Sequence, residues 1–404
     1  MRLQGISALL AATATALASG LAMSASAETI KLGVLNDQSG VYTDLSGPGG
    51  IDAVRMAVED AGGAINGNKI EIVSADHQNK PDIATSVARQ WYDQDHVDAI
   101  FDVPNSGVAL AVQEVAREKH KVVIFSGPGS SDLTNAKCSP VGVHWTYDTY
   151  GLAKGTGAAI TKSGGDSWFF LTADYAFGQA LERDTAAVVL ANGGKVLGEV
   201  RTPLASPDFS SFLLQAQASK AKIIGLANAG GDTVTSIKQA AEFGITSGGQ
   251  KLAGLLVFIS DINSLGLKTA QGLQLTESFY WDQNDETRAW SKRFFERNKK
   301  EPTMVQAGLY GAAKHYLEAV KTVGSTDTDK VMAAMQAAPI NDFMTKNGTL
   351  RPDGKVVRDM YLFEVKKPEE SKGPWDYYKL LRSIPAAEVT RPVAESDCSL
   401  LKKS

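Results

Sequence analysis

Residues 97–125 read VDAIFDVPNSGVALAVQEVAREKHKVVIF. Val97 to Phe101 is of strand length and apolar apart from Asp98. Val103-Pro104-Asn105-Ser106-Gly107 interrupts it with turn residues, and Val108 to Glu118 then repeats apolar side chains at helical spacing. Val122 to Phe125 is a second apolar run. A strand, a crossover helix and a strand in this order predict parallel pairing, because the helix returns the chain to the same end of the sheet.

The alternation extends both ways. Upstream lie a strand at Ile30–Leu35, a Gly/Ser/Asp-rich loop at Asn36–Gly50, and a helix with Ile51, Val54 and Val58 on one face. Gly62-Gly63 closes that helix. A turn at Asn66-Gly67, a strand at Lys69–Ser74 and a helix at Asp82–Asp93 follow. After Trp145–Tyr150 the pattern restarts. Strands are predicted at Trp168–Leu171, Val196–Val200, Ile223–Ala227 and Leu252–Phe258, and helices at Gly178–Leu190, Phe209–Ser219 and Thr233–Phe243. A helical section, Thr287–Val323, and a helix at Thr328–Ala337 precede two late strands, Asp359–Val365 and Tyr377–Ile384, and a wrapping tail from Pro385. The fold class is α/β, with two Rossmann-like, doubly wound units in tandem.

With 404 residues, 43% apolar and a net charge of −4, the chain is not disordered and lacks the basic excess of a nucleic-acid partner. Residues 1–27 read as a cleaved signal peptide: Arg2, an apolar run from Ile6 to about Met23, then Ala25-Ser26-Ala27. No Cys lies near the cut, so a periplasmic protein without a lipid anchor is expected. Export favours a disulfide between Cys138 and Cys398. The scattered His and Cys offer no metal spacing, and no metal or cofactor is expected.

The first strand runs into Asn36-Asp37-Gln38-Ser39-Gly40, not a glycine-rich phosphate cradle. No nucleophile elbow or zinc-protease motif occurs, so binding is favoured over catalysis. Ligands of open α/β sheets sit at the carboxyl ends of strands. Two Ser/Gly loops lie there, Val103–Gly107 and Ser126–Asp132. Amides at a helix start with small hydroxyls suit a carboxylate, while plain helix capping is the alternative use of the same residues.

At this point the chain resembles the periplasmic solute-binding receptors of ABC transporters, the branch related to leucine/isoleucine/valine-binding protein. Ile30–Leu35 with Ser39-Gly40, Ala57–Gly63 before Ile65-Asn66-Gly67, Ser126–Ser130, Tyr175-Ala176-Phe177-Gly178 and Asp208-Phe209-Ser210 carry the likeness, across essentially the whole mature chain. The resemblance implies a type I periplasmic binding protein, two lobes joined by three hinge crossovers. Lobe one would hold 28–147 plus 278–356, and lobe two 148–277 plus 357–404.

Carried over by position, it implies that Asn105 or Ser106, with Gly129 and Ser130, holds a ligand carboxylate. Tyr175 and Phe177 match an aromatic after the first strand of lobe two. Amino-acid receptors of the family add a Tyr and a Glu for the ammonium group. Here those places fall in Asn228-Ala229-Gly230-Gly231 and Leu255–Phe258, with no acid nearer than Asp232 or Asp261. An ammonium without a carboxylate is costly to bury. The wall of Ala229, Gly230 and Phe258 suits an aromatic or hydrophobic acid, with Tyr175, Phe177, Tyr147 or Tyr150 available for stacking. The likeness to aromatic-acid receptors extends to the first loop, with Tyr42 at the cleft mouth. The expected partners are a small carboxylate and an inner-membrane ABC permease, for a monomeric protein without turnover. A branched-chain amino-acid or amide receptor, a sensor domain and an enzyme on the same scaffold remain the alternatives.

Overall fold

A computed structural model describes residues 29–401. The signal peptide expected at 1–27 lies outside them. The first sheet contains β1 (Ile30–Asn36), β2 (Ala64–Ile65), β3 (Asn68–Asp76), β4 (Ala99–Asp102), β5 (Val122–Phe125) and β6 (Gly142–His144), in the order β2-β3-β1-β4-β5-β6. All its pairs are parallel except the β2–β3 hairpin. Every residue of β4 and β5 is buried. These central strands are covered on both faces, which is why they are continuous apolar runs. The helix between them, Ser106–Lys119, begins two residues before the apolar spacing suggests, because Asn105 caps it.

The second sheet has β7 (Ser167–Ala173), β8 (Lys195–Thr202), β9 (Ile223–Ala227) and β10 (Lys251–Gly254), all parallel, in the order β10-β9-β7-β8. The strand expected through Phe258 stops at Gly254. Phe258 instead caps the helix Ile259–Leu265, its N–H held by the Asp261 carboxylate at 2.9 Å. The helical section from Thr287 is two helices, Asp285–Asn298 and Met304–Val323. Lys299, with φ 57°, ends the first, and Thr303 and Gln306 cap the second reciprocally at 3.3 and 3.0 Å. Met304–Val323 packs on the helix Gly47–Asp60 of the first sheet.

The last strands are β11 (Gln274–Glu277), β12 (Thr349–Leu350), β13 (Val356–Val357), β14 (Met360–Val365) and β15 (Tyr378–Ile384). β11, β14 and β15 form an antiparallel sheet whose Phe363, Val365 and Tyr378 share a core with Leu171 and Leu226 of the second sheet. Lys355, just before β13, instead bridges to His144 at the edge of the first sheet. The chain therefore crosses between the two cores three times: after β6, after β11 and after β13. Cys138 and Cys398 are disulfide-bonded, their Cα atoms 5.7 Å apart.

The turn from β7 into the helix Ala176–Ala191 is tight enough to require glycine. A Cβ on Gly178 would lie 2.1 Å from the carbonyl oxygen of Ala173. Gly178→Ala is expected to cost about 1–3 kcal/mol of stability, as overpacking against fixed backbone does. Equilibrium denaturation measures this, and an unchanged midpoint would show that the turn relaxes freely.

Candidate functional site

The carboxyl end of β4 turns sharply. Asp102 has φ 86° and Val103 φ 54°, a left-handed conformation that a β-branched residue rarely adopts. The buried Asp102 carboxylate accepts hydrogen bonds from the Ser46 hydroxyl and, at 3.4 Å, from Asn36 Nδ2, both at the end of β1 or in the loop after it. Gly127, after β5, packs directly on Asp102: a Cβ there would meet Oδ1 at 2.9 Å and Pro104 at 2.6 Å. One carboxyl group thus fixes the loops after three neighbouring strands. Burial pushes it up to about 7, against the opposing bonds from Ser46 and Asn36.

The next two residues divide their work. Asn105 Oδ1 accepts the N–H groups of Gly107 and Val108 at 3.0 and 3.1 Å and caps its own helix. Ser106 Oγ reaches the second loop and accepts the N–H groups of Gly129 and Ser130 at 3.2 and 3.1 Å. Ser130 Oγ in turn accepts from Asp132 N–H at 3.4 Å. Gly129 is fitted between aromatic rings, since a Cβ would lie 2.8 Å from Phe177 and 3.1 Å from Tyr147.

These rings form the walls of a cleft between the two sheets. Tyr175 and Phe177 have centroids 6.1 Å apart, and Tyr147 meets Phe258 edge-on at 6.3 Å. The hydroxyls of Tyr42 and Tyr175 hydrogen-bond across the cleft, and Tyr147 donates its hydroxyl to the Gly127 carbonyl. Gly231 N–H donates to the Val41 carbonyl at 3.1 Å, so the loop after β1 touches the helix Gly231–Glu242. Between them is a cavity of about 10 Å³, bordered by Tyr42, Leu45, Pro104, Gly127, Gly129, Tyr147, Tyr175, Phe177, Ala229 and Leu256. It has room for about one water, so any larger ligand requires the sheets to part. None of its bordering residues is charged.

The structure thus brings Tyr42, Gly129, Tyr175, Phe177 and Ala229 to one cavity, with Ser106 and Ser130 behind Gly129 and Phe258 behind Tyr147. Gly230 (φ 59°) lies at the same contact, where a Cβ would meet the Val41 carbonyl at 2.5 Å. Asn228 points into its own lobe, donating to Ser236 at 2.9 Å and accepting from Thr233 at 2.7 Å. Tyr150 is elsewhere: its ring lies 4.5 Å from the Arg391 guanidinium, on the C-terminal tail. Leu45 and the tie at Asp102 escaped sequence reasoning, while Gly127 and Leu256 fall inside the segments Ser126–Asp132 and Leu255–Phe258 without having been singled out. For Asp102 the available signal was a polar residue ending an apolar strand.

The two acids nearest the second lobe's wall are occupied. Asp232 accepts from Ala205 N–H at 3.0 Å and Asp261 from Phe258 N–H at 2.9 Å. Burial raises them to about 6 and about 7. Neither borders the cavity. No group of three or more His, Cys, Asp or Glu able to hold a metal occurs among the described residues. A larger cavity, about 640 Å³, opens at the opposite strand ends beside Gly164, Lys222, Lys251 and Gln274, away from these loops.

Residues 29–373 match the family model described as Periplasmic binding protein. A crystal structure of a periplasmic binding protein from Burkholderia mallei is 55% identical, covers 93% of this chain and 100% of its own, and superposes with a TM-score of 0.92. A branched chain amino acid ABC transporter periplasmic ligand-binding protein from Burkholderia xenovorans LB400 is 41% identical, with a TM-score of 0.82, over 93% of this chain and 100% of its own. An ABC transporter solute binding protein from R. palustris, crystallised with benzoate, shares the fold at 23% identity and a TM-score of 0.82, over 92% and 100% of the two chains.

The raised Asp102 carboxyl has a thermodynamic consequence. Its ordinary value is 3.8 and its folded value about 7, so the folded chain holds this proton more tightly than the unfolded chain. The resulting stability is complete below about pH 4 and is lost as pH rises through 7. Asp102→Asn removes that loss. Between pH 4.5 and 7.5, denaturant unfolding should show the wild type losing on the order of 2–4 kcal/mol that the variant keeps. Parallel pH profiles would mean that Asp102 is ionised in the folded protein.

Proposed function

The chain belongs to the periplasmic binding protein family, and from this premise we propose that it captures a small aromatic or hydrophobic carboxylate in the cleft between its lobes. It hands that ligand unchanged to an ABC permease. Residues 28–147 with 278–356 make one lobe, and 148–277 with 357–404 the other, except that the tail at Ser396–Cys398 returns to the first, and the two close on the ligand by a hinge.

One observation carries the reading: the cavity is bordered by aromatic, aliphatic and small side chains and by no charge, its only side-chain hydroxyls are those of Tyr42, Tyr147 and Tyr175, and the Ser106 hydroxyl with the Gly129 and Ser130 amides lies just behind it on the side of the first lobe. The oxygen of Ser106 is filled by two amides, which leaves its proton for a ligand oxygen. When the lobes part, Tyr42 and Tyr175 offer two further hydroxyls, and Phe177 and Tyr147 offer flat faces for an aromatic ring. An α-ammonium would find Asp232 and Asp261 already committed to backbone amides, and burying it unpaired is costly. Benzoate as the ligand of the R. palustris protein fits this chemistry.

The Burkholderia xenovorans relative, described for branched-chain amino acids, favours a second reading, an amino acid with its ammonium at the cleft mouth. A thermal-shift panel of benzoates, cinnamates, aliphatic acids and branched-chain amino acids separates the two. Aromatic acids should raise the melting temperature in proportion to the logarithm of their excess over Kd. A response to amino acids alone would overturn the first reading. Ser106→Ala should weaken benzoate binding by about 1–3 kcal/mol, the usual cost of an unmet buried partner, in a calorimetric titration.

A further inference from the structure

We propose that the C-terminal tail is a fourth connection between the lobes, anchored by the Cys138–Cys398 disulfide, and that it limits how far the cleft opens. The tether stands on connectivity; its effect on ligand release rests on the binding-protein reading above.

The tail leaves β15, whose sheet shares the core of the second lobe. It is first held on that lobe. The Val389 carbonyl lies against Gly151, where a Cβ would meet it at 3.0 Å. The Arg391 guanidinium covers the Tyr150 ring at 4.5 Å and comes within 3.5 Å of Asp184 on the helix Ala176–Ala191. It then changes lobe. Arg351, just after β12, donates to the Arg391 carbonyl at 2.7 Å. Asn135 Oδ1 accepts from Asp397 N–H at 2.7 Å and from the Ser396 hydroxyl at 3.2 Å. Cys398 is then bonded to Cys138. Asn135 and Cys138 both lie between β5 and β6 of the first sheet.

This path is separate from the three crossings after β6, β11 and β13. Its polar contacts are individually weak and exchange with water, whereas the covalent bond does not. Between Arg391, held on one lobe, and Cys398, bonded to the other, extended chain can span at most about 25 Å, at roughly 3.3–3.6 Å per residue. Wider opening would have to strip Arg391 and Val389 from Tyr150 and Gly151. On the same side, Ser131 and Asp132 of the first lobe already meet Asp184 and Arg183 of the second at 2.6 and 3.1 Å. The tether therefore acts beside contacts that opening must loosen.

The test compares wild type, the double variant Cys138→Ser/Cys398→Ser, and a lengthened tail carrying roughly eight Gly/Ser residues inserted after Glu395 with both Cys retained. Small-angle scattering of each protein without added ligand reads the opening directly. Both variants should show a larger radius of gyration than wild type, and hydrogen exchange should rise at the cleft-facing loops as well as in the tail. Benzoate, the probe ligand, should dissociate several-fold faster from both. The lengthened variant keeps the disulfide, so it decides the matter if the Ser variant folds poorly. An unchanged radius with exchange rising only in residues 385–401 would overturn the tether. If benzoate fails to bind wild type, the ligand reading fails while scattering still decides the tether.

Discussion

The loops that carry the candidate site depend on one buried carboxyl group. Asp102 turns the chain out of β4 through a left-handed conformation that glycine would adopt without cost, and Val103 repeats it. Such backbone persists only where the surroundings over-determine it. Here they do: the Ser46 hydroxyl and Asn36 amide hold the carboxylate from one side, and Gly127 packs against it from the other. Remove that group and the loops after β1, β4 and β5 lose their common reference point. Ser106 would then no longer be aligned with the amides of Gly129 and Ser130. Glycine at 102 would relieve the strain but supply no anchor, so the side chain justifies the backbone it distorts.

The second lobe contributes surface more than polar grip. Its share of the cavity is Tyr175, Phe177, Ala229 and Leu256, and its nearest acids are spent on capping backbone amides. Apart from the Tyr175 hydroxyl, the polar groups lie on the side of the first lobe. The Tyr42 and Tyr175 hydroxyls meet where the two surfaces close.

The fold was largely legible because central strands are unbroken apolar runs and their helices keep a clean period. Val122–Phe125 and Ile223–Ala227 coincide with β5 and β9 residue for residue. The departures have local causes. Leu252–Phe258 is apolar throughout, but Asp261 captures the Phe258 amide and starts a helix where a strand would continue. β11, read QLTE, has no apolar alternation and owes its form to pairing with β14. Among the site residues, Ser106 and Asn105 were indistinguishable as types. Only geometry shows that one caps its own helix and the other spans to the next loop. Tyr150 illustrates the opposite limit, since its neighbour Arg391 is remote in sequence and no local pattern signals it.

The three crossings also govern the order in which the molecule can be built. Leu171 and Leu226 lie near the middle of the chain, but the side chains that complete their core, Phe363, Val365 and Tyr378, come almost at its end. A nascent chain lacking those residues leaves the second core open, however much of β7 to β10 it has made. Contacts of such long sequence separation carry a loop-closure cost before any packing repays it, and they slow folding. Final consolidation must therefore follow synthesis of nearly the whole polypeptide.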